Sequence, residues 1–283
     1  RDNGREYAHK VYSQLAITRF QLLNDIELRE VEKFGPFSIR DPFELRREGV
    51  LEYFNTRELR LNSSILRNAV TRLTKWIKLR SIQLVSTEES FNNLPPRTNL
   101  GLPEFSNKDE FRETYLNRAK KLEQSGYKGA LLYPAVLGWR GQPNGSTSHI
   151  KNRVVWMMDH LETIVGLRVQ IPVLHALRSR PEFVAWNDLD AVDKEMTTIL
   201  DSATSPIISV DFSRYDQTVP KVLIHAAFDV LRSWFSKSAG SALDWLEENF
   251  LHVGLSTPAG VITGRDAAVP SGSALTNLID SLV

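Results

Sequence analysis

Apolar residues recur at helical spacing over most of this chain. The spacing predicts amphipathic helices over residues 5–34, 56–83, 106–124, 219–236 and 241–251. Ser106 stands where the third of these helices would be capped. A further helix is expected to begin just after Gly272.

Shorter segments with a different pattern predict strands and loops. Residues 151–156 (KNRVVW) and 206–210 (PIISV) predict short strands, and 261–269 predicts a hairpin or strand pair. Residues 92–103 and 138–148 are rich in Pro, Gly and Asn, which predicts loops. Helices mixed with a few strands predict an α/β (mixed α+β) fold.

Composition excludes several classes of protein. The chain has 283 residues, 42% of them hydrophobic and 24% charged, which is typical of a folded domain rather than a disordered chain. No apolar run reaches the roughly 18 residues that a membrane span needs, so we expect no membrane partner. The chain has no cysteine and its six histidines are scattered, which leaves oxygen ligands as the candidates for holding a metal.

Charge is unevenly distributed along the chain. The formal net charge is only +1, yet residues 57–80 hold a run of Lys and Arg against a single Glu. A solvated helix face and an RNA-binding face both explain this run.

Two aspartates stand five positions apart in SVDFSRYDQTV. Asp211 follows the apolar run 207–210, and Asp216 comes just before the helix predicted at 219. A carboxylate at the end of a strand suits a ligand or metal site. The alternative is that it caps the next helix, for which Asp216 is better placed than Asp211.

Two more segments are candidates for binding. Ser271 and Gly272 precede a predicted helix, which suits a close approach of the backbone to a ligand, although an ordinary loop-to-helix junction would look the same. Lys151 and Arg153 share one face of a predicted strand and could bind phosphates, although a solvated strand explains them as well.

The three segments occur in an order that resembles viral RNA-dependent RNA polymerases, most closely those of double-stranded RNA viruses of the picobirnavirus and partitivirus type. KNRVVW resembles the end of motif F, SVDFSRYDQTV motif A, and PSGSALTNLIDSLV motif B, so the resemblance covers residues 151–283. It implies a right-hand polymerase fold with fingers and the first part of the palm. The implied domains are a helical N-terminal region and fingers (1–130), fingers with the motif F-like strand (131–204) and a partial palm (205–283).

The resemblance also implies a role for each motif residue. Asp211, with the backbone carbonyl of Phe212, would bind the Mg²⁺ or Mn²⁺ ions of two-metal nucleotidyl transfer. Lys151 and Arg153 would contact the triphosphate. The residues implied near the ribose are Asp216, Ser271, Gly272, Thr276, Asn277 and Asp280. Many family members have Asn where this chain has Asp280, so the partner of the sugar is left open between Asn277 and Asp280.

The expected function is template-directed RNA synthesis from ribonucleoside triphosphates, for viral genome replication and transcription. The implied partners are the RNA template and product and the remainder of the palm and thumb, with the viral capsid as a further candidate, in the virion interior and host cytoplasm. No Gly-Asp-Asp occurs, and 187–190 (NDLD) is expected to be a loop, so the chain is expected to be the front part of a polymerase and inactive alone.

Two other functions remain open. A reverse transcriptase shares the first aspartate, although Ser-Gly-x-x-x-Thr and the polar residues near Asp216 argue against it. An RNA-binding or capsid-associated helical protein without catalysis would account for the basic run at 57–80.

Overall fold

A computed structural model describes residues 25, 42–55, 61–95, 99–129, 132–143 and 150–283. The helix predicted at 5–34 lies outside these residues, apart from residue 25, which is helical. The chain divides into two compact units. One comprises Arg1–Val50 with Gly138–Val155, and the other Leu51–Leu137 with Trp156–Val283.

The elements follow the chain in a mixed order of helices and strands. They are α1 (Phe43–Leu51), α2 (Ser63–Ile77), α3 (Thr87–Asn92), α4 (Arg112–Gln124), β1 (Ala135–Pro143), β2 (Ile150–Met157), α5 (His160–Leu177), α6 (Leu189–Ser202), α7 (Tyr215–Thr218), α8 (Lys221–Trp234), α9 (Gly240–His252), β3 (Leu255–Thr257), β4 (Gly260–Ile262) and α10 (Thr276–Leu282). Short 3₁₀ segments occupy Glu52–Phe54, Pro181–Trp186 and Lys237–Ala239. The predicted mixed α/β class is confirmed.

One mixed sheet has the strand order β2–β1–β3–β4. In the larger unit the start of β1 pairs in parallel with β3, Ala135 opposite Leu255, and β3 pairs with β4 in an antiparallel hairpin. In the smaller unit, the Arg46 guanidinium lies 3.6 Å from the centre of the Trp139 ring. The strand predicted at 151–156 is confirmed within β2. The predicted loop at 138–148 is wrong for 138–143, which belong to β1, and its remainder at 144–148 lies outside the described residues.

The core of the larger unit forms around two helices. α5 packs against α3, α4 and α9, and its Ile164, Val169 and Leu177 are fully buried. α8 packs against α2, α9 and α10 through an apolar stripe at helical spacing that includes Ile224 and Phe228. Burial of such side chains contributes roughly 1.5–3 kcal/mol each, so these helices hold the larger unit together.

Several predicted boundaries are corrected by local capping. α2 begins after Asn62, whose side chain accepts a hydrogen bond from the Ser64 amide (2.9 Å), and it ends at Ile77 rather than 83 because Lys78 takes a left-handed conformation. α4 begins at Arg112, so Ser106 is not its N-cap. The loop predicted at 187–190 is wrong for Leu189 and Asp190, which begin α6 after the N-cap Asp188.

The strand predicted at 206–210 is absent. These residues have no regular structure, and Ile208 and Val210 are 83% and 71% exposed. A strand needs a neighbour for its backbone hydrogen bonds, and among the described residues no strand pairs with this segment. The predicted hairpin at 261–269 also shifts toward the N-terminus and is formed by β3 and β4.

Within the described part of the chain, no helix has the length and apolar character needed to cross a membrane.

Candidate active site

Two segments singled out by the sequence meet through a side-chain contact. The Ser271 hydroxyl donates a hydrogen bond to Asp216 Oδ2, across 55 positions of sequence. Both residues are half-buried. The contact joins SVDFSRYDQTV to PSGSALTNLIDSLV.

Backbone hydrogen bonds hold these two segments side by side. The carbonyl of Asp216 accepts from the Val269 amide at 2.7 Å, and the carbonyl of Val219 accepts from the Ala268 amide at 2.8 Å. Arg214, in a left-handed conformation (φ 53°), turns the chain into α7 immediately before Asp216. The main chain at Asp216 is therefore held beside the segment that carries Ser271.

The segment after Val269 closes into a tight loop before α10. The carbonyl of Pro270 accepts from the Thr276 hydroxyl at 2.9 Å and from the amides of Gly272 (2.6 Å) and Ser273 (2.9 Å). A Cβ atom on Gly272 would lie 2.0 Å from the carbonyl oxygen of Trp156, so only glycine fits there. Thr276 thus stabilises the loop in this structure.

Asp280 faces the same cluster from α10. Burial, together with the negative charge of Asp216, raises the pKa of Asp280 to about 7. The Tyr215 hydroxyl donates to the backbone carbonyl of Asp280 at 3.3 Å, and burial with both aspartates raises the pKa of Tyr215 to about 12. Asn277, the other candidate near the sugar, is exposed.

Asp211 lies outside this cluster of hydrogen bonds. It is exposed in the irregular segment before α7, and Phe212 beside it is 67% exposed with its ring 5.4 Å from that of Tyr215. No group of three or more His, Asp or Glu side chains that could hold a metal occurs among the described residues. Asp211 and the Phe212 carbonyl offer oxygen donors of the right chemistry but do not complete a metal site.

Lys151 and Arg153 both lie in β2, within the smaller unit. Arg153 is exposed. Their placement near the triphosphate of a bound nucleotide stays a prediction.

Three residues that the sequence did not single out support the loop at Ser271. The Trp156 amide donates to the Ser271 carbonyl at 3.3 Å, and the Tyr53 hydroxyl shares a hydrogen bond with Ser271 Oγ at 3.3 Å. The guanidinium of Arg265 is buried 5.0 Å from the centre of the Trp156 ring and donates to the carbonyls of Ala268 (2.7 Å) and Phe250. Burial lowers the pKa of Arg265 to about 9.

Glu162 is a fourth such residue. It lies in the first turn of α5, and its Oε1 accepts a hydrogen bond from the Ser273 hydroxyl at 2.5 Å. Burial raises the pKa of Glu162 to about 7, and the nearby charge of Asp159 adds to this effect. An acidic residue inside an apolar helix is the one signal in the sequence that could have identified it.

The cluster combines groups that suit a sugar hydroxyl. Asp216 and Asp280 offer carboxyl oxygens, and Ser271 offers a hydroxyl that both donates and accepts. Because the pKa of Asp280 is raised to about 7, its carboxyl can also donate a hydrogen bond in its protonated form near neutral pH. A ligand hydroxyl at this place would find both hydrogen-bond donors and hydrogen-bond acceptors.

Comparison with known proteins assigns the family. A family model of viral RNA-dependent RNA polymerases matches residues 55–283. The chain therefore belongs to the viral RNA-dependent RNA polymerase family. It is 27% identical over 289 residues to a potential RNA-dependent RNA polymerase of human picobirnavirus (strain Human/Thailand/Hy005102/-), covering 94% of this chain and 52% of the relative. It is 31% identical over 245 residues to the RNA-directed RNA polymerase of Cryptosporidium parvum virus 1 (strain KSU-1), covering 81% and 45%.

Solved structures show the same fold. The crystal structure of the RNA-dependent RNA polymerase of a human picobirnavirus matches with a TM-score of 0.71 at 22% identity, covering 98% of this chain and 56% of that one. Its insertion-loop deletion mutant matches with a TM-score of 0.70 at 22% identity, covering 97% and 57%. The predicted polymerase fold and the predicted family are confirmed, and a reverse transcriptase is not favoured. The chain spans about half the length of the curated relatives it matches.

Proposed function

We propose that this chain forms the part of an RNA-dependent RNA polymerase that selects the incoming ribonucleotide during template-directed RNA synthesis. The contact between Asp216 and Ser271 is the observation that carries the proposal. It joins the motif A-like and motif B-like segments inside the region that matches the polymerase family.

Selection would act through the ribose 2′-hydroxyl. A site that hydrogen-bonds a substrate hydroxyl rejects the analogue without it, because its own polar groups are then left unpaired. Asp216 and Ser271 are the proposed partners of that hydroxyl, and Asp280 is preferred to Asn277 as the third because it faces Asp216 whereas Asn277 is exposed.

Asp211 is proposed as one ligand of a divalent ion, together with the carbonyl of Phe212. Polymerases of this family use divalent metal ions in general. Mg²⁺ is the proposed ion and Mn²⁺ the alternative, because carboxylate and carbonyl oxygens are the ligands that hard cations prefer. Lys151 and Arg153 are proposed to contact the triphosphate as phosphate-binding cations.

The proposed partners are the RNA template and product, ribonucleoside triphosphates and the remainder of the palm and thumb. The viral capsid is a further proposed partner. The proposed places of action are the virion interior and the host cytoplasm, where a polymerase of a double-stranded RNA virus would work.

The test is nucleotide incorporation on an RNA template by the full-length polymerase that carries this chain. Asp211→Asn should lower incorporation by about 10³-fold, since the loss of a metal ligand removes several kcal/mol of transition-state stabilisation. Template binding should persist because it depends on phosphate contacts. The matched control is Asp201→Asn, an exposed aspartate at the end of α6, which should change neither property.

Three results would contradict the proposal. Asp211→Asn with full incorporation would remove Asp211 from the site. Wild-type protein that binds RNA but incorporates no ribonucleotide would favour the non-catalytic RNA-binding protein, and a preference for deoxyribonucleotides would favour a reverse transcriptase.

A further inference from the structure

A cavity of about 770 Å³ lies in the larger unit, where the C-terminal ends of α2 and α8 meet. Its lining includes Thr74, Lys75, Lys78, Arg80, Ser233 and Phe235. None of these residues belongs to the cluster around Asp216. α8 begins five positions after Asp216, and its 14 residues separate the two places by about 20 Å at ~1.5 Å per residue.

The walls of this cavity are held by backbone hydrogen bonds. The Ile82 amide donates to the Trp234 carbonyl at 2.9 Å, and the Ser236 amide donates to the Ile82 carbonyl at 3.0 Å. Lys78 and Ser81 both take left-handed conformations (φ 56° and 54°), and the chain bends at Ser81 before Ile82 reaches the end of α8. Ligand pockets are usually formed in advance in this way.

The charge of the cavity is positive and uncompensated. Residues 61–87 contain five Lys or Arg and no Asp or Glu, in a chain whose net charge is +1. No ion pair involves Lys75, Lys78 or Arg80 within the described residues, whereas Arg232 on α8 pairs with Asp229, Asp244 and Glu247. Among the described residues, acidic partners therefore surround Arg232 but not the cations that line the cavity.

The helix dipole explains only part of this arrangement. The C-terminus of a helix carries a partial negative charge, so Lys75 in the last turn of α2 is stabilising there. The dipole acts within about one turn, so it accounts for Lys75 and for Lys78 at the C-cap but not for Arg80. Three cations around a cavity instead favour a ligand with several negative charges.

We propose that this cavity binds the phosphates of a ribonucleotide ligand, either a segment of an RNA strand or a free ribonucleoside triphosphate. Lysine and arginine side chains bind phosphate oxygens through charge-assisted hydrogen bonds. A volume of about 770 Å³ is within the range of small-ligand pockets and accepts a nucleotide. The Thr74 and Ser233 hydroxyls already donate to the carbonyls of Val70 and Val230, so the cations supply the recognition.

The test measures binding of a fluorescent single-stranded RNA of about ten nucleotides to the 283-residue chain as salt is varied. The triple variant combines Lys75→Gln, Lys78→Gln and Arg80→Gln, and its Kd should be about tenfold higher near 0.1 M salt. The slope of log K against log[salt] should become shallower by about 2, because each lost phosphate contact removes ~0.7. The matched control is the double variant Arg67→Gln with Arg72→Gln. Both of these cations are exposed on α2 and lie outside the cavity lining, so the Kd should stay within about twofold of wild type.

Crosslinking of 4-thiouridine-labelled RNA to the wild-type chain gives a readout that does not depend on a variant folding. Crosslinks at residues 74–81 or 233–235 support the proposal, and their displacement by millimolar GTP identifies a free triphosphate as the ligand. Crosslinks that GTP does not displace identify the RNA strand. Equal Kd values for both variants, or crosslinks confined to other segments, overturn the proposal. Asp216→Asn should leave these crosslinks unchanged, which separates this site from the proposed function.

Discussion

Single residues decide the shape of the loop that carries Ser271. Gly272 lies against the backbone of Trp156, and no side chain can be added there without moving the main chain. The Ser-Gly pair in the sequence indicated a close approach of backbone to a ligand. The structure shows that the close approach is to the protein's own β2, at its last residues.

Gly272→Ala should therefore destabilise the chain. The added methyl would overlap the Trp156 carbonyl, and overpacking of this kind costs about 1–3 kcal/mol. The measurement is urea unfolding with an unchanged m-value. Gly240→Ala is the matched control, because Gly240 has helical dihedrals and open space around its Cβ position, so the free energy of unfolding should stay equal or rise by up to about 1 kcal/mol. Equal effects of the two substitutions would contradict the close contact.

Some residues of the site could be predicted from the sequence and others could not. Asp216, Ser271 and Asp280 belong to two recognisable segments, and their proximity follows from a shared family pattern. Trp156 and Arg265 could not be predicted, because their contribution comes from contacts between segments distant in sequence. No local period or spacing marks a residue whose partners are a hundred positions away.

At the scale of elements, α5 and the loop before α10 are joined by buried polar contacts of Glu162. Glu162 on α5 accepts from Ser273, while Gly166 one turn later approaches Ala274 so closely that a Cβ on it would lie 2.9 Å from the Ala274 methyl. The loop thus rests on a helix that is buried in the core. A charge on Glu162 would be unfavourable in this interface.

The burial of Glu162 predicts a pH dependence of stability. The pKa of Glu162 is raised from 4.5 to about 7, so the folded protein binds this proton more tightly than the unfolded chain does. The resulting contribution to the free energy of unfolding is fully present below pH 4.5 and is lost as pH rises through 7, by about 3 kcal/mol in all. Glu162→Gln cannot ionise. The free energy of unfolding of the wild type relative to this variant should therefore fall between pH 5 and 8.

Urea unfolding of both proteins across that range is the measurement. Taking the difference removes the contribution of His160, whose pKa burial lowers to about 4 and which titrates in both proteins. Ser273→Ala serves as the control: it removes the hydroxyl but leaves the carboxyl, so the pH dependence should persist. If the difference in the free energy of unfolding between the wild type and Glu162→Gln stays constant with pH, Glu162 is already ionised in the folded protein across this range.

The helices with an apolar stripe, α2, α4, α8 and α9, were predicted, whereas α1, α3, α5 and α6 were not, and the strand predicted at 206–210 is absent. A helix satisfies its own hydrogen bonds, so an apolar stripe such as that of α8 is sufficient to predict it. A strand depends on a neighbour that its own sequence does not specify. The apolar run at 207–210 indicates that the segment is able to pack against other apolar residues, but it specifies no partner, and Ile208 and Val210 are exposed.

At the scale of the whole molecule, apolar exposure is concentrated in one stretch of the chain. α6 has no buried residue although its apolar side chains share a face, and Leu189 is 85% exposed. The irregular segment that follows exposes Ile208, Val210 and Phe212 together with unpaired backbone groups. Exposed apolar chain of this kind promotes association between molecules.

The chain should therefore self-associate at high concentration, and Ile208→Lys should reduce this association. Ile208 is 83% exposed, so its replacement removes apolar surface without opening a cavity, and the free energy of unfolding should change by less than about 0.5 kcal/mol. The measurement is light scattering against protein concentration. Ser205→Lys adds the same charge in the same exposed segment but leaves the apolar side chains in place. If Ser205→Lys reduces scattering as much as Ile208→Lys does, net charge rather than apolar exposure drives the association.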